Sequence, residues 1–342
     1  MISFILSAIK IIFLLGFLIF IHELGHFTVA KLCKVKVNEF AIGFGPTIWK
    51  KQGKQTKYAL RLIPLGGFVS MEGEEERSEE SGSFSKASIP KRIAIVAAGA
   101  IVNILFAIIV YFILIASTGT YITNEVSTII EGYPAQEIGI QAGDKIVQIN
   151  DEKINNIYDL NESIQKNKDE IKVRVERNGE ILEYTTIPKQ VTKQVTKQGY
   201  TSYYLGVNLK PAEDTFVNRC INAGILTKDF MFSIVDNLKQ LFTGKVGVDQ
   251  MMGPVGISEV VSKTNGIKEF IYMLVLISMS LGVTNLLPIP ALDGGKILIL
   301  IIEAIRRKPL NEQTEINIQL LGFSILIALS LYVTYHDISR IF

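Results

Sequence analysis

Four long stretches of this chain carry almost no charge, and they constrain its fold more than any other feature. Met1–Ile21 holds one charged residue, Lys10, while Ile93–Thr118, Phe270–Leu292 and Ile316–Tyr335 hold none. Each is about 20 residues or longer, enough for a helix to cross a hydrocarbon core of roughly 30 Å. The expected architecture is a multi-pass α-helical membrane protein with four transmembrane helices, at residues 2–30, 93–118, 270–292 and 316–335. The first stretch has no basic start and no small-residue cleavage site, so it is expected to remain as a span rather than be removed as a signal peptide.

The net charge of +2 says little about partners, but the placement of charge orients the chain. Lys31, Lys34, Lys36, Lys50, Lys51, Lys54, Lys57 and Arg61 follow the first span, Lys91 and Arg92 precede the second, and Arg306, Arg307 and Lys308 separate the third from the fourth. Basic loops stay in the cytoplasm. The long segment after the second span is then extracytoplasmic, in a cell membrane crossed four times. Cys33 and Cys220 fall on or near opposite sides, so two ordinary thiols are expected rather than a disulfide.

Inside the first apolar run lies His22-Glu23-Leu24-Gly25-His26. On a helix, residues four apart project from one face, so both imidazoles can grip one Zn²⁺ while Glu23 takes a proton from the attacking water. The chain has three histidines, and this motif uses two of them. Ionisable groups in a membrane segment cost several kcal/mol unless partnered, which favours a functional site over a polar packing patch. Catalytic zinc needs three protein ligands and an open position. Spans one and three run in the same direction, and the His pair sits near the cytoplasmic end of span one. Asp293 lies at the cytoplasmic end of span three, whereas His336 is at the far end of span four, so topology selects Asp293. Asn285-Leu286-Leu287-Pro288-Ile289-Pro290 precedes it, and prolines at membrane depth free backbone groups that protein or water must satisfy.

Between the spans the pattern changes. Val37–Val69 alternates like strands and is expected as a small membrane-associated sheet over residues 37–70 on the cytoplasmic side, with turns at Gly45-Pro46 and Lys50–Lys57 and an end at Gly66-Gly67. Glu72–Glu80 reads as a solvated acidic linker. Gly99, Ala100, Asn103 and Ala107 suit close helix contact in span two. Residues 121–211 read as a soluble, mainly-β domain with a hairpin at Asn178-Gly179. In it, Lys189–Gln198 repeats Lys-Gln-Val-Thr and reads as a solvated tract. Residues 214–242 suit a surface amphipathic helix with Val217, Ile221, Gly224, Met231, Val235, Leu238 and Phe242 near one face, and Gly253-Pro254-Val255-Gly256-Ile257 breaks the chain ahead of span three. Three parts result: a membrane half over 1–120, the domain at 121–211, and a second membrane half over 212–342.

The run Pro134-Ala135…Gly139-Ile140…Ala142-Gly143-Asp144…Ile149-Asn150 resembles a PDZ domain of the bacterial protease type, which implies a groove that takes peptide termini by strand addition. With His-Glu-Leu-Gly-His in span one and Asn-x-x-Pro-x-Pro-x-Leu-Asp-Gly in span three, the whole chain resembles the site-2 protease family, in the bacterial regulator-of-sigma branch. The resemblance implies His22, His26 and Asp293 as zinc ligands, Glu23 as general base, and Asn285, Pro288 and Pro290 as residues that position substrate. It implies cleavage within the transmembrane segment of single-pass membrane proteins, such as an anti-sigma factor or a remnant signal peptide, and a β-hairpin that pairs with unwound substrate. It also matches Gly253-Pro254-Val255-Gly256 to a family segment. Two features depart from the pattern: there is room for one PDZ domain, not two, and Gly99-Ala100 stands where the family often has Gly-Pro before its Asn. The expected partners are these substrates, peptide termini and the lipid bilayer, not nucleic acid. A zinc carrier would use the same ligands but needs polar groups leading to the other face, and spans two and four supply little beyond Asn103 and His336. A PDZ scaffold with a dead metal site would lack the Glu that this chain has.

Overall fold

The computed structural model describes residues 2–74, 76–194, 199–244 and 252–341. The chain divides into two compact units, Met1–Leu114 with Thr227–Phe342, and Ile115–Leu226 between them. Four helices are long and apolar enough to cross a membrane: Ile5–Leu32, Ile89–Ala116, Ile267–Asn285 and Glu312–Ser339. The protein is thus a multi-pass membrane protein with a separate β-rich region.

The first unit opens with α1 (Ile2–Leu32). Leu14, Leu18 and Ile21 are buried in a cluster with Val261 and Leu274, while Ile5, Leu6, Ile9 and Phe13 lie on the surface. A helix that is apolar on its outer face as well belongs in lipid. Next come β1 (Val37–Gln52) and β2 (Lys57–Met71), paired antiparallel. The Lys-rich turn falls between them as expected, but Gly45-Pro46 and Gly66-Gly67 end nothing; they lie inside β1 and β2. Positive φ at Gly43 (+88°), Gly45 (+83°) and Gly66 (+138°) bends both strands. Phe40, Ala41 and Ile42 consequently find partners in β2 on two sides, Tyr58–Leu60 and Gly67–Val69. A Cβ on Gly66 would stand 1.9 Å from the Phe44 ring, so only glycine permits this fold-back.

The acidic stretch after β2 is not a free linker. Glu72 accepts from Asn38 Nδ2 at 2.9 Å, Glu80 pairs with Lys36 at 2.8 Å, and Arg77 donates to the Leu310 carbonyl at 2.5 Å. Phe84 then joins Ala30, Val35, Val37, Met71, Ile95, Val96 and Leu300 in a buried cluster that fastens the loop to the helices. In α2 (Ile89–Ala116), Ala98 and Gly99 meet Gly25 of α1, whose Cβ would be 2.6 Å from the Ala98 carbonyl oxygen.

The second unit has its own core, with Val126, Ile146, Ile149, Ile171, Val173 and Val175 buried together. Its elements are β3 (Ile122–Ile129), α3 (Pro134–Glu137), β4 (Lys145–Ile149), β5 (Glu152–Lys153), α4 (Ile157–Lys166), β6 (Ile171–Arg177), β7 (Glu180–Thr186), β8 (Lys189–Gln194), β9 (Gly199–Tyr204) and β10 (Val207–Pro211). The main sheet runs β10-β3-β4-β6-β7, with β5 paired to β4. The hairpin at Asn178-Gly179 forms as expected, with both residues at positive φ (+52° and +84°). Asn156 caps α4 by accepting from the N–H groups of Tyr158 and Asp159. The Lys-Gln-Val-Thr tract is not merely solvated: its described part is β8, paired antiparallel with β9; residues 195–198 of it lie outside the described residues.

The chain continues through α5 (Phe216–Phe242), α6 (Pro254–Ser262), α7 (Ile267–Asn285), α8 (Asp293–Arg306) and α9 (Glu312–Ile341). On α5 the buried face is Asn222, Ala223, Thr227, Phe230 and Ile234, whereas Val217, Ile221, Met231 and Val235 of the expected apolar stripe are exposed. Gly253-Pro254 starts a helix rather than only breaking the chain: Gly253 is the N-cap of α6 and Pro254 its first turn, a position that needs no N–H. The third span also stops early. The helix ends at Asn285 instead of residue 292, because Pro288 and Pro290 lack N–H groups and push the residues before them out of helical geometry. Asp293 therefore begins a separate helix, α8. Cys33 and Cys220 are both free.

Candidate metal centre

Three elements of the first unit converge near the C-terminal third of α1. His22 and His26 lie one turn apart on α1, and Asp293 is the first residue of α8. Oδ2 of Asp293 is 3.2 Å from His22 Nε2 and 3.6 Å from His26 Nε2, and the two Nε2 atoms are 3.1 Å apart. The three side chains are only 11%, 12% and 22% exposed. Apart from the two imidazoles, Asp293 Oδ2 is buried with no hydrogen-bond partner. Two ring nitrogens and a carboxylate oxygen aimed at one point, all within 4.8 Å of one another, fit a divalent cation. Two His with one carboxylate and a remaining open position is a catalytic zinc donor set.

The backbone around this point is unusually close. Gly99 of α2 lies against the imidazoles, and a Cβ there would be 2.4 Å from His26 Nε2 and 2.8 Å from His22 Nε2. The other face of His26 is fixed from α2 as well, with Nδ1 2.8 Å from the Ile95 carbonyl oxygen. A ring whose Nδ1–H donates to that carbonyl keeps Nε2 bare for a metal. On the Asp293 side, α8 starts tightly on the segment that precedes it. Cβ atoms on Gly294 and Gly295 would fall 2.2 Å and 2.3 Å from the Leu287 and Ile289 carbonyl oxygens, and Ala291 sits at φ +72°. Gly322 of α9 backs the same segment, its Cβ position 2.4 Å from Pro290 Cβ.

Glu23 shares a cavity of about 200 Å³ with His22, His26, Asp293, Phe68, Val69, Met71, Val96, Glu74 and Lys296. Gly67 of β2 brings its backbone against the Glu23 stem, where a Cβ would be 3.3 Å from Cγ. Asn285, Pro288 and Pro290 are not among the residues lining this cavity; Asn285 ends α7, Pro288 is exposed and Pro290 half-buried. His336 packs its ring against Tyr332 and Tyr335, outside the cluster. Two residues at the site went unread in the sequence. Glu74 and Lys296 form a 2.8 Å ion pair beside the His22, His26 and Asp293 cluster across a separation of 222 residues, which no local pattern reveals. Asn103, which the sequence offered for close contact or a hydrogen bond between helices and as the Asn of the family's span-two pattern, is fully buried with Nδ2 3.4 Å from His22 Nδ1. The available signal was its spacing from Gly99, one turn along the same helix face.

A multi-pass membrane chain with this donor set in a shielded recess falls among membrane zinc metalloproteases. The sequence profile of peptidase family M50 matches residues 10–329, and the chain belongs to that family. A protein of Clostridium acetobutylicum provisionally named a zinc metalloprotease is 36% identical over 327 residues, 94% of this chain and 94% of its own length. Similar proteins, named in the same way, occur in Fusobacterium nucleatum (33% over 338 residues; 96% of this chain, 97% of its own) and Helicobacter pylori (31% over 357 residues; 96% and 98%).

Proposed function

We propose that this recess is the catalytic centre of an intramembrane protease, with His22, His26 and Asp293 as the zinc ligands and Glu23 as the general base. The observation that carries the assignment is the meeting of α1 and the start of α8, residues distant in sequence, within 4.8 Å around one point. Zinc bound there supplies the Lewis acidity that polarises a scissile carbonyl and acidifies water. Glu23 takes the proton from the attacking water and returns it to the leaving amide nitrogen. The bent end of β2 at Gly67–Val69 lies along the cavity and offers backbone groups to an extended substrate. Asn285, Pro288 and Pro290 would hold the non-helical segment against which such a substrate lies.

The proposed substrate is the transmembrane segment of a single-pass membrane protein, anti-sigma factor-like or a remnant signal peptide, cut in regulated intramembrane proteolysis. The unit Ile115–Leu226 is proposed as an extracytoplasmic PDZ domain that receives peptide termini; its separate core and the Ala142-Gly143-Asp144 run support that. The basic residues after α1 and before α2 support a cytoplasmic-membrane location with the site near the cytoplasmic side. A zinc carrier would use the same ligands but needs polar groups leading to the other face of the membrane, and metal uptake into vesicles separates the two readings.

The test uses purified protein and a tagged transmembrane substrate. Glu23→Gln is expected to keep zinc and lose cleavage, and Asp293→Asn to weaken both. Cleavage by Glu23→Gln at the wild-type rate would overturn the mechanism.

A further inference from the structure

We infer that Asn103 is a positioning residue for the metal site, its carboxamide oxygen accepting the Nδ1–H of His22 and so holding Nε2 toward the ion. The inference rests on the ligand set proposed above. Asn103 is 0% exposed, and its Nδ2 stands 3.4 Å from His22 Nδ1 while its Oδ1 is buried with no hydrogen-bond partner. A side-chain amide presents nitrogen or oxygen to the same neighbour by a half-turn about its last bond. Chemistry chooses between the two orientations. An imidazole that binds a metal through Nε2 carries its proton on Nδ1, so the atom facing Nδ1 must be an acceptor. The orphaned Oδ1 is that acceptor once the amide is turned.

The geometry of α2 supports the role. Ile95, Gly99 and Asn103 recur every fourth residue and share one helix face. The Ile95 carbonyl serves His26 Nδ1, Gly99 makes room for both rings, and Asn103 serves His22 Nδ1. One face of α2 thus holds both histidines from behind. Asn103 is itself anchored, because its main-chain oxygen accepts from Ser278 Oγ of α7 at 2.9 Å.

The experiment measures Zn²⁺ affinity by chelator competition on full-length protein in lipid nanodiscs, with Co²⁺ spectra as a second readout. Asn103→Leu keeps the volume and removes the acceptor; Asn103→Asp keeps the acceptor. The Leu variant should bind Zn²⁺ about 10–100-fold more weakly with an altered Co²⁺ spectrum, and the Asp variant should stay within a few-fold of wild type. Zinc-loaded wild-type protein with ¹⁵N-labelled histidine should also show a hydrogen-bonded Nδ1–H on His22, a readout that needs no folded variant. His22→Ala is the control for the ligand set. If it weakens zinc binding while Asn103→Leu does not, or if Leu and Asp weaken it equally, the role of Asn103 is wrong. If His22→Ala binds zinc as wild type does, the ligand set falls and this inference with it.

Discussion

Gly99 is a residue at which one methyl group would strike the proposed metal ligands directly. Its Cβ would lie inside contact distance of both metal-facing nitrogens, and the atoms it meets are the proposed ligands themselves rather than a flexible side-chain end. Gly99→Ala is therefore expected to reduce zinc affinity by about two orders of magnitude, the upper end of what misplacing a ligand costs. Wild-type affinity in a chelator titration of that variant would rule this out. Asp144 makes a different demand, on pH. Burial works to raise its carboxyl, but hydrogen bonds from Arg177 and from the Gln141 N–H, with the Arg177 charge, outweigh burial and hold it below the usual aspartate value. A carboxyl with a depressed folded pKa adds stability that is complete above its unfolded value, about 3.9, and is lost as pH falls through the folded value. The β-rich unit should thus melt at a constant temperature from pH 7 down to about 4 as far as Asp144 is concerned, then earlier in more acid. In Asp144→Asn this acid-dependent loss should shrink and the pH 7 midpoint should drop, both read by thermal scans.

The elements divide into those legible in the sequence and those set by distant contacts. Uncharged runs announced four spans because lipid leaves helices little alternative, and the Asn178-Gly179 hairpin was announced by residues that tolerate its positive φ. His22 and His26 could be paired from spacing, and Asp293 from the alternation of the spans. The glycines were harder to read. Gly45 looks like a turn and Gly66-Gly67 like a strand end, yet all three lie inside strands that continue; Gly66 makes room for the Phe44 ring and Gly67 for the Glu23 stem. Gly294, Gly295 and Gly322 similarly serve a fold-back after α7 that is visible only once Pro290 is seen against α9. Glycine's meaning here is in its neighbours, which gives a paired prediction. Gly322→Ala puts a Cβ 2.5 Å from the Pro290 carbonyl oxygen and should destabilise the protein by about 1–3 kcal/mol, as overpacking does, while lowering cleavage through Asp293. Gly224→Ala, mid-helix in α5 with nothing within 4 Å, should be neutral or stabilising by about 0.5–1 kcal/mol. Thermal midpoints of the two variants check the contrast; equal shifts would show that the close approach at Pro290 does not matter.

At the scale of the whole chain, two cores respond to different solution variables. The three proposed metal ligands all belong to the unit formed by Met1–Leu114 and Thr227–Phe342, and α1, α2, α8 and the base of the β1–β2 sheet meet around them. The unit Ile115–Leu226 buries its own aliphatic cluster without any of those elements. A ligand that binds only the folded state stabilises it by RT ln(1 + [L]/Kd), about 2.7 kcal/mol at 100 times Kd. That stabilisation should fall on the unit that contains the ligands. Removing zinc with a chelator should accordingly speed amide hydrogen exchange in the C-terminal turns of α1, the Gly99 turn of α2 and the first turn of α8. Exchange in β3, β4 and β6 should stay as it was. Mass-spectrometric exchange on full-length protein in nanodiscs separates these peptides. Equal deprotection of both units on chelation would mean that they unfold as one, and that the division of the chain into two cores has no thermodynamic counterpart.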